Sequence, residues 1–238
     1  MRELSDYIDE VLIQIWNEIR SDTDYSLVAV GGYGRATLHP FSDIDILILS
    51  PEAPKDEEIA SIEYFIRTLW DIGLEVGHSV RTVAECLKEG NADITVLTTV
   101  LESRLLSGSK LLYDDFHSTL FKNIDIHNFI AEKRREQKYR YNRAKDTAFS
   151  LEPNVKDCPG GLRDLHTIIW IAKCCSFGAT WAELFSQGII TKKEFIQISR
   201  HQRFLDRIRI NLHYHAGRRT DRLTFDYQNV IAEKFGLK

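Results

Sequence analysis

The chain has 238 residues, 43% of them hydrophobic, 11% aromatic and 28% charged, with a formal net charge of −4. That length supports one large domain or two modest ones whose core needs neither disulfides nor a structural metal, and the balance excludes a disordered, collagen-like or fibrous protein. No apolar run approaches the roughly 20 residues that span a bilayer, and the acidic, amphipathic opening MRELSDYIDEVL lacks the parts of a secretory signal. Cys86, Cys158, Cys174 and Cys175 have no metal-site spacing, so they read as free thiols of a cytoplasmic protein. The net charge conceals a division: residues 1–131 hold 10 basic and 23 acidic side chains (−13), residues 132–238 hold 21 and 12 (+9). An acidic half suits a divalent metal and a basic half an anionic ligand or acidic protein surface, although two solvated faces attracting each other would look the same.

Leu4, Ile8, Val11, Leu12, Ile15, Trp16 and Ile19 recur at helical spacing and predict an amphipathic first helix. Turn residues Ser21 to Asp24 follow, then a short strand from Ser26 to Val30, a glycine cluster, and a second strand from Ile44 to Leu49. Glu57 to Trp70 is helical by period, Leu74 to Val80 strand-like, and Thr82 to Lys88 a short helix. Asp93 to Leu106 reads as a helix or as a strand followed by a helix. From about Asn128 the strand signal stops. Phe129 to Phe149 is basic and helix-permissive, Pro153 to Gly161 is a loop, and helices are expected over Leu162 to Cys175, around Trp181 to Phe185, and over Lys192 to His215. The fold class is therefore α+β: a mixed sheet flanked by helices in residues 1–125, then an all-α domain in residues 126–238, joined by a polar segment and packed together.

The segment richest in chemistry is VAVGGYGRATLHPFSDIDILIL, residues 28–49. A strand runs into Gly31, Gly32 and Gly34, whose backbone N–H groups can meet phosphate oxygens without a Cβ in the way. Asp43 and Asp45, two apart at a strand, face one way. Paired carboxylates repel unless a cation sits between them, and Mg²⁺ (or Mn²⁺) takes one or two carboxylates plus phosphate oxygens. Ser42 can hydrogen-bond a phosphate oxygen, and Arg35 can stabilise charge developing on leaving pyrophosphate. Separately, a glycine turn and a D-x-D are common; their conjunction between two apolar strands is specific. It is neither a Walker A loop nor a dinucleotide fingerprint.

GGYGR followed by SDIDILIL resembles the signature of the DNA polymerase beta-type nucleotidyltransferase superfamily. Residues 69–82 (LWDIGLEVGHSVRT), 92–108 (ADITVLTTVLESRLLSG), 154–172 (NVKDCPGGLRDLHTIIWIA) and 216–228 (AGRRTDRLTFDYQ) extend the likeness over nearly all of residues 5–238. More narrowly, they are similar to the N-terminal region of the bifunctional uridylyltransferase/uridylyl-removing family. The resemblance implies transfer of UMP from UTP to a tyrosine of a PII-type nitrogen-signalling protein, with loss of pyrophosphate. It implies that Asp43 and Asp45 hold the metal and that Gly31, Gly32 and Ser42 cradle the β- and γ-phosphates. Gly34 would allow the turn, and Arg35 would neutralise charge. Such sites usually add a third carboxylate. The Leu74 to Val80 strand offers only Glu75, Gly77 and His78, so Asp93 is the candidate, with a helix N-cap as its plain alternative. The family commonly has glycine where Ala36 and Cys158 stand. Its phosphohydrolase (HD) and ACT domains and its N-terminal extension are missing, so the chain reads as a piece, without uridylyl-removing activity.

In the second half, Lys156 or Arg163 would reach phosphate from the Pro-Gly-Gly loop; otherwise the loop is a helix entry, with Asp164 as a first-turn acid. The helix KRREQKYRYNRAK (residues 133–145) interleaves tyrosine with charge, as nucleic-acid stacking surfaces do. A solvated face explains it equally, and a pI near 6.1 argues against bulk nucleic-acid binding. Two alternatives to uridylyl transfer stay open on residues alone: a nucleotide-binding regulatory module without turnover, and an adenylyltransferase of the same fold.

Overall fold

The computed structural model describes residues 1–20, 24–144 and 150–237. Most of the Ser21–Asp24 turn and residues 145–149, the end of the basic stretch, lie outside the described residues. The chain forms two compact units, Met1–Ile124 and Asp125–Lys238.

The first unit opens with α1 (Arg2–Ile19), which buries Ser5, Ile8, Leu12 and Trp16 along one stripe. Four strands follow: β1 (Ser26–Ala29), β2 (Ile44–Ser50), β3 (Val76–Thr82) and β4 (Arg104–Gly108). They form one mixed sheet ordered β3-β2-β1-β4, antiparallel except for the β2–β3 pair. Apart from Asp45, every residue of β1 and β2 is buried, so both strands read as continuous apolar runs rather than alternating ones. Between β1 and β2 the chain makes one helical turn, α2 (Gly31–Gly34). Between β2 and β3 runs α3 (Asp56–Asp71), and its Phe65 meets the Trp16 ring edge-on at 5.0 Å in the core.

After β3 come α4 (Val83–Ala92) and α5 (Ile94–Leu101). Thr82 and Glu85 close a reciprocal cap on α4, the T-x-x-E pattern of a capping box. The segment Asp93–Leu106 is a helix followed by a strand, not the strand-then-helix that its apolar content allowed. Asp93 caps α5, and Arg104 onward pairs with β1 as a sheet edge. Short apolar runs do not distinguish helix from strand; here the available edge of β1 decides. The unit ends with α6 (Lys110–Asn123), a helix for which the sequence pattern gives no clear signal. Of its 14 residues only Phe116 and Leu120 are buried, so its apolar stripe is thin.

The second unit is helical among its described residues, apart from an isolated bridge between Asn154 and Arg222. Its helices are α7 (Ile126–Arg143), α8 (Leu162–Cys174), α9 (Trp181–Ser186), α10 (Lys192–Ala216) and α11 (Phe225–Lys234). The last was not anticipated; Ile231 is its one buried residue. Val155, Ile208, Leu212 and Ile231 form a small core with Leu223, Tyr227 and Phe235 against it. Among the described residues no helix is long and apolar enough to cross a membrane.

Candidate active site

β1 delivers the backbone to the glycine turn, and Val30 at its head donates its N–H to the carbonyl of Asp45 at 3.0 Å. Tyr33, inside the turn, is fully buried and donates its hydroxyl to Asp9 Oδ1 of α1 at 2.5 Å. Arg104 of β4 grips the same carboxylate through both Nη atoms, at 2.5 and 3.0 Å. Burial, with Asp9 beside it, pushes the Tyr33 hydroxyl pKa far above its ordinary value. The turn is thus bolted to α1 and β4 from beneath. Gly34 packs so tightly that a methyl group there would lie 1.6 Å from the Glu102 carbonyl oxygen.

Asp43 stands one residue before β2 and Asp45 is its second residue. Both line an open depression of about 420 Å³ with Trp70, Leu74, Glu75, Val76 and Gly77. Asp45 is opposite Gly77 in the parallel β2–β3 register. A methyl group on Gly77 would sit 2.7 Å from Asp45 Oδ1, and one on Gly31 would sit 3.6 Å from Oδ2. The carboxylate therefore occupies a slot between two glycines, one from the turn and one from the neighbouring strand. Gly77 carried no functional signal in the sequence; only the strand register assigns it this part.

The other predicted residues separate. Ser42 lines an adjoining depression of about 230 Å³ with Leu38, His39 and Phe41; it shares Leu74 and Glu75 with the first. Arg35 forms an ion pair with Glu102, whose side chain is 5% exposed. Asp93 is the N-cap of α5, accepting the Thr95 N–H at 2.6 Å, and is not among the residues lining the aspartate depression. Glu75 is among them. Among the described residues, however, no three carboxylate, histidine or cysteine side chains converge as a metal-binding group. Two carboxylates at an open, solvent-reachable depression fit a hard divalent cation that takes its remaining ligands from water and phosphate. The ring of His78 packs edge-on to Trp70 at 5.9 Å on an exposed stretch of β3, and His78 does not line the aspartate depression.

The two departures from glycine behave differently. Ala36 has φ +55°, the left-handed region that glycine adopts without strain. Cys158 has no such backbone, and its Sγ accepts the Asn154 N–H at 3.3 Å.

In the second unit, Asn154 Oδ1 accepts the N–H groups of Lys156 and Asp157 at 2.9 and 2.7 Å, which shapes the entry to the Pro-Gly-Gly loop. Asp164 anchors that loop. It accepts from Arg140 at 2.7 Å, Tyr141 at 2.6 Å and the Gly160 N–H at 2.8 Å. Burial alone would raise its pKa, but hydrogen bonds from Tyr141, Arg140, Gly160 and Gln137 hold it below the ordinary value. Arg163 points to Asp157 at 3.4 Å and lies over the Trp170 ring. Lys156 titrates at about 8, lowered first by burial and then by the charges of Arg163 and Arg209. The basic helix is not a continuous phosphate track. Lys133 is buried over Trp170 and paired with Glu136, while Arg140 and Tyr141 are committed to Asp164.

Residues 12–101 match the nucleotidyltransferase domain family, and residues 128–238 match the GlnD PII-uridylyltransferase family. The first unit, with its mixed sheet, glycine turn and D-x-D strand, is a nucleotidyltransferase domain. Bifunctional uridylyltransferase/uridylyl-removing enzymes from Nitrosospira multiformis, Burkholderia orbicola and Thiobacillus denitrificans are 45%, 47% and 45% identical to the chain. They cover 100%, 100% and 97% of it. The chain belongs to this family, and it spans 27–28% of the length of these relatives. A solved structure titled as a toxin–antitoxin with AMP-PNP aligns with 58% of the chain at 16% identity. Its TM-score of 0.31 is too low to bear on the argument.

Proposed function

We propose that the chain catalyses transfer of UMP from UTP to a tyrosine of a PII-type protein in the cytoplasm. The observation that carries this reading is the Asp43–Asp45 depression beside the glycine turn, in a chain 45–47% identical over its whole length to uridylyltransferases. The tyrosine hydroxyl oxygen would form a bond to the α-phosphorus as the bond to the β-phosphate oxygen breaks. The hydroxyl proton goes to solvent, and pyrophosphate leaves with the bonding pair. A divalent ion, Mg²⁺ or Mn²⁺, held by Asp43 and Asp45 would supply charge neutralisation at the phosphates. The chain's own part is positioning. The N–H groups at Gly31 and Gly32 and the Ser42 hydroxyl meet phosphate oxygens, and Arg35 adds a fixed positive charge at the turn. In the second unit, Lys156 and Arg163 are offered as anion-binding side chains. The four free cysteines support a reducing compartment. Nucleic acid is not proposed as a partner.

The test is intact mass spectrometry of a purified PII-type protein incubated with the chain, Mg²⁺ and each of the four NTPs separately. A uridylyl-sized gain with UTP alone, absent in Asp43→Asn and Asp45→Asn variants that still fold, is the expected result. An adenylyl-sized gain with ATP instead would make the protein an adenylyltransferase. Binding of Mg·NTP with no gain from any nucleotide would make it a regulatory module. Full activity in either aspartate variant would remove the assigned site.

A further inference from the structure

The end of α5 meets the glycine turn at Gly31, Gly34 and Arg35. Glu102 is the C-cap of that helix. Its backbone carbonyl occupies the space a side chain at Gly34 would need. One turn back, the Thr99 methyl group lies 3.6 Å from where a methyl on Gly31 would be. The Glu102 carboxylate, 5% exposed, reaches Arg35 Nη1. The other end of the same guanidinium, Nη2, lies 3.6 Å from the Cβ position of Gly32, while Nε is buried with no hydrogen-bond partner among the described residues. Arg35 is thus folded back over the turn, one nitrogen tied to the helix end and another held above the glycine. Its side chain remains 24% exposed.

We propose that Glu102 is a positioning residue for the nucleotide site: it fixes the Arg35 guanidinium over the glycine turn, where the triphosphate is received. This rests on reading the turn as the nucleotide site. A free arginine gives up several rotamers when it meets a phosphate; one already held by a buried carboxylate has given them up on folding. A buried carboxylate is tolerated only when a charge partner satisfies it, so the pair has little freedom to rearrange. The sequence pattern alone placed Glu102 in a segment of undecided structure and assigned it no role.

The test is a double-mutant cycle read as the dissociation constant of Mg·UTP by calorimetry, with thermal melting on every variant. Glu102→Gln is isosteric and removes the charge. It is expected to weaken Mg·UTP binding about 5- to 10-fold, the scale of one misplaced charge-assisted hydrogen bond. Arg35→Gln is expected to weaken it at least as much. The double variant should bind no more weakly than Arg35→Gln alone, because the proposed effect of Glu102 on the nucleotide is carried by Arg35. A purely structural role would lower the melting temperature without this coupling. Glu102→Asp withdraws the carboxylate by one methylene; it should show the same dependence on Arg35, and it serves if Glu102→Gln does not fold. Additive losses, or wild-type affinity in both Glu102 variants, would overturn the positioning role and leave the site assignment standing. No binding of any Mg·NTP by the wild-type chain would overturn the site assignment itself.

Discussion

Asp45 has no spare room on the side facing β3. The Gly77 backbone lies where any side chain would collide with its carboxylate, at 2.7 Å for a single methyl group. Gly77→Ala is therefore expected to turn Asp45 out of its slot and lower transfer about 100-fold, the penalty of roughly 1 Å of misplacement at a reacting centre. The rate of mass gain on the acceptor protein measures it, and a wild-type rate would show that Asp45 works from another orientation. Ala36 presents the opposite case, a side chain in a left-handed conformation. Replacing it with glycine removes steric strain at a small entropic cost, for a net gain of about 1 kcal/mol. Urea unfolding of Ala36→Gly should show a raised midpoint at unchanged slope; a lowered midpoint would mean that the turn bears the strain without cost. Both effects depend on one backbone angle or one close approach, which residue identity does not reveal.

Secondary-structure elements are held together at a few buried ionic contacts. In the second unit, Asp221 crosses to α10 and accepts from Arg209 Nε at 2.5 Å and from His213 at 3.4 Å. Burial alone would raise the Asp221 pKa; the His213 hydrogen bond and the charges of Arg209 and Lys156 outweigh it and hold it well below the carboxylate range. The Val155 N–H bonds to the Asp221 carbonyl, so the same residue ties the loop carrying Lys156 to the end of α10. Asp221→Asn removes the carboxylate charge that the Arg209 guanidinium, 8% exposed, and His213 both contact. The expected loss is about 3 kcal/mol of stability, the scale of breaking one partner of a buried pair. It is measured as a drop in the urea midpoint, and a change below the scatter of repeat measurements would show that water replaces the pair.

Asp164 and Asp221, two substantially buried carboxylates of the second unit, have depressed pKa values. Their folded pKa values fall below the unfolded value of 3.8. The stability they contribute is therefore present above about pH 3.8 and is lost as pH falls from there toward the folded values. In the first unit Glu58 and Glu85 are also depressed, but they are exposed helix-cap groups of small weight. On acidification below 3.8, the amides of α7, α8 and α10 should lose hydrogen-exchange protection before those of β1 and β2. Mass spectrometry of peptides from a pH series resolves the order, and simultaneous loss would show that the molecule unfolds as one unit. The charge division between the halves has the same distribution in the chain. The acidic portion holds the aspartate depression, and the basic portion holds Lys156, Arg163 and Arg209.

Periodicity was sufficient for α1, α3 and α8, because each has a strong apolar stripe, and for β1 and β2, which are buried on both faces. The pairing of a glycine turn with Asp43 and Asp45 was also legible, since it depends on residue types at short spacing. Weakly amphipathic α6 and α11 were not, nor was the order of α5 and β4, because the free edge of β1 settled that locally ambiguous run. What the chain could not disclose at all were the partners brought from afar: Gly77 against Asp45, Glu102 against Gly34 and Arg35, Asp9 and Arg104 beneath Tyr33. Local pattern records which face of an element is apolar. Strand register and helix packing alone bring residues 24 to 95 positions apart within contact, and the aspartate slot and the arginine mount are both made of such contacts.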